Sequence, residues 1–177
     1  MPASLLRETH RTAMADRLVS PLIRDDGFIQ AFFQVRIDMK SNNQELNVAL
    51  FFCQQLDPDH DGHQRVIEKE FGPRIKFFPL PCSGRIEPLH FLRAFEAGAD
   101  LVYLIVCPLK VCRYQQGNLR AKKRIAYAQK LIQEIGLDPE RLNLIITTTP
   151  LPKRIDLLTR EILADVPVKG HSLLGKL

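Results

Sequence analysis

An α/β fold, built on a small, open, mostly parallel sheet with helices on both faces, is predicted by three observations. From residue 46 onward, short apolar runs alternate with stretches of helical periodicity. The runs are apolar on consecutive positions, as strands covered on both faces require. Glycine and proline fall between the elements and set their ends.

Each element can be justified in chain order. "LNVALFF" (46–52) is the first strand. "HQRVIEKEFG" reads as a helix with Val66, Ile67 and Phe71 inward, stopped by Gly72 and Pro73. "IKFF" (75–78) is the second strand. Pro88 suits the first turn of a second helix, where its missing N–H would be unpaired anyway; Phe91, Leu92 and Phe95 form its apolar stripe, and Gly98 ends it. "LVYLIV" (101–106) is the third strand. Ala121, Ile125, Ala128, Ile132 and Ile135 recur at spacings of four and three, so 119–135 is an amphipathic helix closed by Gly136. "LNLIITT" (142–148) is the fourth strand, and Ile155, Leu158 and Ile162 mark a last helix ending before Pro167. Four strand and helix pairs predict a flavodoxin-like sheet.

The division expected is an α/β domain over 46–167, an amino-terminal extension over 1–45 and a mobile tail over 168–177. In the extension, Leu5, Leu6, Met14, Leu18 and Leu22 outline a helix broken at Pro21. Phe33, Val35, Ile37 and Met39 alternate with Gln34, Arg36, Asp38 and Lys40 as in a half-exposed edge strand.

Composition excludes several classes. A chain of 177 residues, 45% hydrophobic, buries enough surface to fold without disulfides. No apolar run reaches the roughly 20 residues that cross a bilayer, and Arg7, Glu8, His10 and Arg11 interrupt any secretory signal, so a cytoplasmic protein is expected. A net charge of +5 admits an acidic protein, anionic lipid or nucleic acid as partner, but no nucleic-acid-binding motif accompanies it. Neither G-x-G-x-x-G nor a P-loop is present, so a nucleotide site has no support.

The four cysteines carry the strongest signal. Cys53 follows the first strand, Cys82 lies four residues after the second, and Cys107 ends the third, with Cys112 in the loop beyond it. All strands of a parallel sheet point the same way, so these thiols converge on the carboxyl edge, where open α/β sheets bind ligands. Four thiolates from three loops suit zinc, cuprous copper or an iron-sulfur cluster; cysteines that merely pack are the remaining reading. The C-x4-C pair also occurs in plant-type 2Fe-2S loops.

"PCSGRIEPLHFLRAFEAGAD", then "VC" with "CRY" and "GN" behind it, then "LIQEIGLDPERL", resembles the delta subunit of the methyl-viologen-reducing, or F420-non-reducing, hydrogenase of methanogens. The resemblance covers roughly 48–148. It implies a 2Fe-2S protein, with Cys53, Cys82, Cys107 and Cys112 as metal ligands. It further implies relay of electrons between a hydrogenase or formate dehydrogenase and the flavin-containing subunit of heterodisulfide reductase. Where the family's first strand commonly ends Cys-Asn-Trp-Cys, this chain has "CQQL", with Leu56 in the last position. Where the family's loop reads Cys-His-x-Gly-Asp-Cys-His-Tyr, this chain has "CPLKVCRY". Reduction of such a cluster adds negative charge, which nearby cations and hydrogen bonds favour. Arg85, Lys110 and Arg113 supply cations in sequence, and Ser83 or the amide of Gly84 supplies donors to sulfur.

Other readings follow from the same residues. "CPLKVCR" is also C-x5-R, the outline of a cysteine phosphatase loop with Cys107 as nucleophile and Arg113 as oxyanion clamp, against which Pro108 and the lack of glycine argue. A structural zinc site or a metal-free interaction module is the bland alternative. Arg120, Lys122, Lys123 and Arg124 either dock an acidic partner or form a solvated helix face. His60 and His63 read as a polar loop entering a helix, His90 as solvent-facing, and Gly117 with Asn118 as a turn and helix cap.

Overall fold

The computed structural model describes residues 46–174, with side chains through residue 165. The helix and edge strand expected before residue 46 lie outside the described residues. Among the described residues the sheet has four strands, β1 (Val48–Cys53), β2 (Ile75–Leu80), β3 (Leu101–Val106) and β4 (Leu142–Ile146), in the order β2-β1-β3-β4. Every pairing is parallel, with Cys53 opposite Leu80 and Phe52 opposite Ile105. The helices are α1 (His60–Phe71), α2 (Pro88–Glu96), α3 (Gly117–Glu134) and α4 (Ile155–Leu174).

Two cores follow from strand alternation. Val48, Leu50 and Phe52 of β1 pack with Ile67 of α1 and Ile155 and Ile162 of α4 on one face. Phe51 turns to the other face, where its ring meets Phe91 of α2 edge-on at 5.6 Å. The helices α2 and α3 lie against each other there, as α1 and α4 do opposite. The sheet is therefore covered on both sides, which is why β1 and β3 are buried along their whole length. No helix among the described residues is long and apolar enough to cross a membrane.

Several sequence expectations are corrected. Val66, expected inward on α1, is 48% exposed, and Ile135, expected on the buried stripe of α3, is 67% exposed. The helix α3 ends at Glu134, one residue before Ile135. The helix α1 starts three residues earlier than "HQRVIEKEFG", at His60, so His60 belongs to the helix rather than to a loop entering it. His90 is buried, not solvent-facing, because its Nδ1 accepts the Glu87 amide at 3.0 Å and closes the start of α2. The last helix runs past Pro167 to Leu174, into the segment expected to be a tail.

Candidate functional site

Sheet order places the cysteines. Because β1 continues to β2 on one side while β3 continues to β4 on the other, the carboxyl ends of β1 and β3 flank the point where the winding reverses, the usual ligand crevice of such sheets. Cys53 closes β1 and Cys107 follows β3 at that point. Cys82 lies two residues beyond β2, opening a 3-10 turn over Ser83–Arg85, and Cys112 lies in the loop before α3.

All four thiols are inside, at 1% (Cys53), 7% (Cys82), 2% (Cys107) and 9% (Cys112) exposure, and all four are free. They stand as two pairs. Cys107 Sγ donates to Cys53 Sγ at 3.3 Å. Cys82 and Cys112 are hydrogen-bonded to each other and share the surface of Gly117, where a Cβ would meet Cys82 Sγ at 2.5 Å and Cys112 Sγ at 3.1 Å. Gly84 also abuts Gly117, since a Cβ on Gly84 would lie 2.7 Å from the Gly117 Cα. Glycine at 84 and 117 thus lets the loop after β2 and the start of α3 close on the sulfurs.

Backbone amides aim at the sulfurs. The N–H groups of Gln55 and Ser83 donate to Cys53, and the N–H of Gly84 donates to Cys82 Sγ at 3.4 Å. The thiols consequently differ in acidity. The hydrogen bond from Cys107, with the two amides, holds Cys53 down to about 6 against burial. Cys107 is pushed up, first by giving that hydrogen bond and then by burial. Burial raises Cys82, opposed by the Gly84 amide, and nearby Cys53 and Cys112 raise it further. These mutual effects mark the four sulfurs as one electrostatic group.

Two side chains unforeseen in the sequence hold the loops. Asn118 donates to the carbonyls of Cys107 (3.2 Å) and Pro108 (2.8 Å), so it fixes the thiol loop, while its Oδ1 accepts the Leu119 amide at 2.9 Å and satisfies one amide of the first turn of α3. Its placement on the buried stripe, three residues before Ala121, was the available signal. Arg124, grouped in sequence with the basic face, turns inward and donates to the carbonyls of Gly84 (2.8 Å) and Ile86 (2.7 Å). Among the expected cations, Arg85, Lys110 and Arg113 are exposed, and Arg113 donates to Gln55 Oε1 at 3.1 Å. A phosphatase role for Cys107 does not fit this arrangement. Its nucleophile must be a thiolate, whereas Cys107 is the thiol held protonated, and Arg113 reaches Gln55.

Among the described residues no group of three or more His, Cys, Asp or Glu side chains is arranged to hold a metal ion as the side chains stand. The donor chemistry nevertheless suits a thiolate-bound centre. Two pairs of sulfurs stand at this edge with amides directed at Cys53 and Cys82, and Ser83 Oγ, fully buried, has no hydrogen-bond partner, leaving a hydroxyl donor free beside Cys82.

Fold and site together define a parallel α/β domain whose carboxyl edge is built from cysteines. Residues 48–166 match the family model of the methyl-viologen-reducing hydrogenase delta subunit, and the chain belongs to that family. It is 36% identical over 97 residues to an iron-sulfur subunit of the F420-non-reducing hydrogenase of Archaeoglobus profundus, covering 55% of this chain and 69% of the relative. It is 28% identical over 130 residues to the vhu iron-sulfur subunit of the F420-non-reducing hydrogenase of Methanocaldococcus jannaschii, covering 72% and 95%. It is also 35% identical over 116 residues to one subunit of the ferredoxin:CoB-CoM heterodisulfide reductase of Methanosarcina mazei; this covers 64% of the chain but only 14% of that relative.

Proposed function

We propose that this chain is a cytoplasmic electron-relay subunit that holds a 2Fe-2S cluster on Cys53, Cys82, Cys107 and Cys112. It would pass electrons between a hydrogenase or formate dehydrogenase and a flavin-containing heterodisulfide-reductase-like subunit. The observation that carries the reading is the gathering of four buried thiols from three loops at the winding reversal of the sheet, with amides directed at two of them. Membership of the delta-subunit family and the iron-sulfur names of two relatives support it. The partial match within the heterodisulfide reductase of Methanosarcina mazei favours that partner, because a similar domain there shares one chain with the rest of that protein.

When bound, such a cluster supplies a one-electron store. The protein's part is to hold and shield it. Cys53 already carries thiolate character, and each sulfur must lose its proton to ligate. The Gln55, Ser83 and Gly84 amides and the Ser83 hydroxyl stabilise negative charge on sulfur, while burial keeps water out. Lys110, Arg113 and Arg85 place positive charge on the loops that carry the cysteines.

Anaerobic purification followed by iron and sulfide assays and paramagnetic resonance of the reduced protein tests the proposal. About two irons and two sulfides per chain are expected, with most of the iron lost in Cys82→Ala and in Cys112→Ala. Stoichiometric zinc without iron would replace the relay by a structural-metal role. Full iron in both variants would remove these residues as ligands.

A further inference from the structure

The loop that carries Cys107 and Cys112 and the outer face of α3 are strongly basic, with the exposed Glu134 at the last turn of the helix as their one acid. Residues 101–133 contain no Asp or Glu, while Lys110 and Arg113 are exposed on the loop and Arg120, Lys122, Lys123 and Lys130 on the helix. Helical spacing puts Leu119, Lys123, Tyr127 and Lys130 on one ridge, opposite the buried Ala121, Ile125, Ala128 and Ile132. Large apolar side chains are interleaved with the cations: Leu109, Val111 and Tyr114 on the loop and Leu119 and Tyr127 on the helix stand about half exposed. A merely solvated face would mix both signs of charge along its length, rather than carry six cations against one acid at its end, and would carry few such side chains. The face borders the thiol site directly, because Val111 and Arg113 flank Cys112, the most exposed of the four cysteines.

We infer that this face docks an acidic protein surface with an apolar centre, that of the flavin-containing heterodisulfide-reductase-like subunit, over Cys112. The identity of that subunit rests on the relay reading; the surface does not. Protein interfaces combine aromatic and apolar cores with cationic rims that steer an opposite charge. A nucleic acid would use the cations but gain nothing from burying Leu109, Val111 and Leu119.

The test uses the full chain and, as probe, the purified flavin-containing subunit from the same organism, with binding measured by interferometry across a salt series. Lys122→Glu/Lys123→Glu should weaken binding about tenfold or more, and wild-type affinity should fall steeply with salt. Tyr127→Ala should weaken it at every salt concentration, and Lys69→Glu on the exposed side of α1 should leave it unchanged. No binding by the wild type, equal binding by the double variant, equal weakening by Lys69→Glu, or tighter binding of a DNA duplex would each overturn the inference. Iron is assayed separately, so binding without iron would defeat the relay while sparing the surface, and iron without binding would do the reverse.

Discussion

Gly117 shows how tightly one residue constrains the thiol group. Its missing side chain leaves the space that Cys82 and Cys112 fill, and a methyl group there would sit 2.5 Å from one sulfur and 3.1 Å from the other. With the cluster proposed above, Gly117→Ala should therefore retain the helical circular dichroism but bind much less iron than the wild type under anaerobic purification; equal iron in the two would mean that these two sulfurs are not held at this position. The Cys53 and Cys107 pair makes a second prediction, for the metal-free chain. Cys53 sits near 6 when folded against an ordinary 9.0. Across that window the unfolded chain retains a proton the folded chain has released, so this pair adds stability as pH rises and withdraws it as pH falls through about 6. Above 9 the sign reverses, because unfolded Cys107 ionises while folded Cys107 stays protonated. Thermal midpoints of wild type and Cys107→Ala should thus diverge from pH 6 towards 9. A gap independent of pH would show that the pair carries no charge.

At the scale of elements, β1 and β3 could be read from the sequence because a strand covered on both faces is apolar at every position, and nothing else in the chain has that pattern at that length. The convergence of cysteines could be read for a related reason: parallel strands share a direction, so position along a strand becomes position in space. What escaped were polar side chains whose partners are backbone carbonyls or amides brought together by tertiary structure. His90 was hidden because its partner is the amide that opens its own helix, and Asn118 because its partners lie in the loop it crosses. Arg124 was hidden among like neighbours, although it ties α3 to the loop after β2. Its two charge-assisted bonds make a prediction at this scale. Arg124→Ala should lower unfolding free energy by about 2–3 kcal/mol in urea titration, whereas exposed Lys122→Ala should change it by less than about 0.5 kcal/mol. Comparable effects for the two would return Arg124 to the solvated face.

Over the whole molecule, the closing contact is Asp57. It lies four residues beyond Cys53, nearly fully buried, and its Oδ2 accepts the Ile155 amide at 2.9 Å and His63 Nδ1–H at 2.6 Å, while Oδ1 accepts the Asp59 amide at 3.1 Å. One carboxylate thus fastens the end of β1, the first turns of α1 and the start of α4, across 98 residues of chain. The Lys153 amide adds a second tie to the Leu56 carbonyl at 2.8 Å. An anion at the first residue of α4 also faces the positive end of that helix. Removing it strands several donors in a buried place, so Asp57→Ala should lower the unfolding free energy by about 3 kcal/mol or more, while Asp57→Asn, which keeps an acceptor for the Ile155 amide, should lose less. Because the β1 terminus also carries Cys53, the alanine variant should release the proposed cluster's iron at a lower urea concentration than wild type, in step with the loss of helical signal. Iron release that precedes unfolding equally in both proteins would separate the thiol site from this closure, and an unchanged midpoint would show that Asp57 does not hold the domain together.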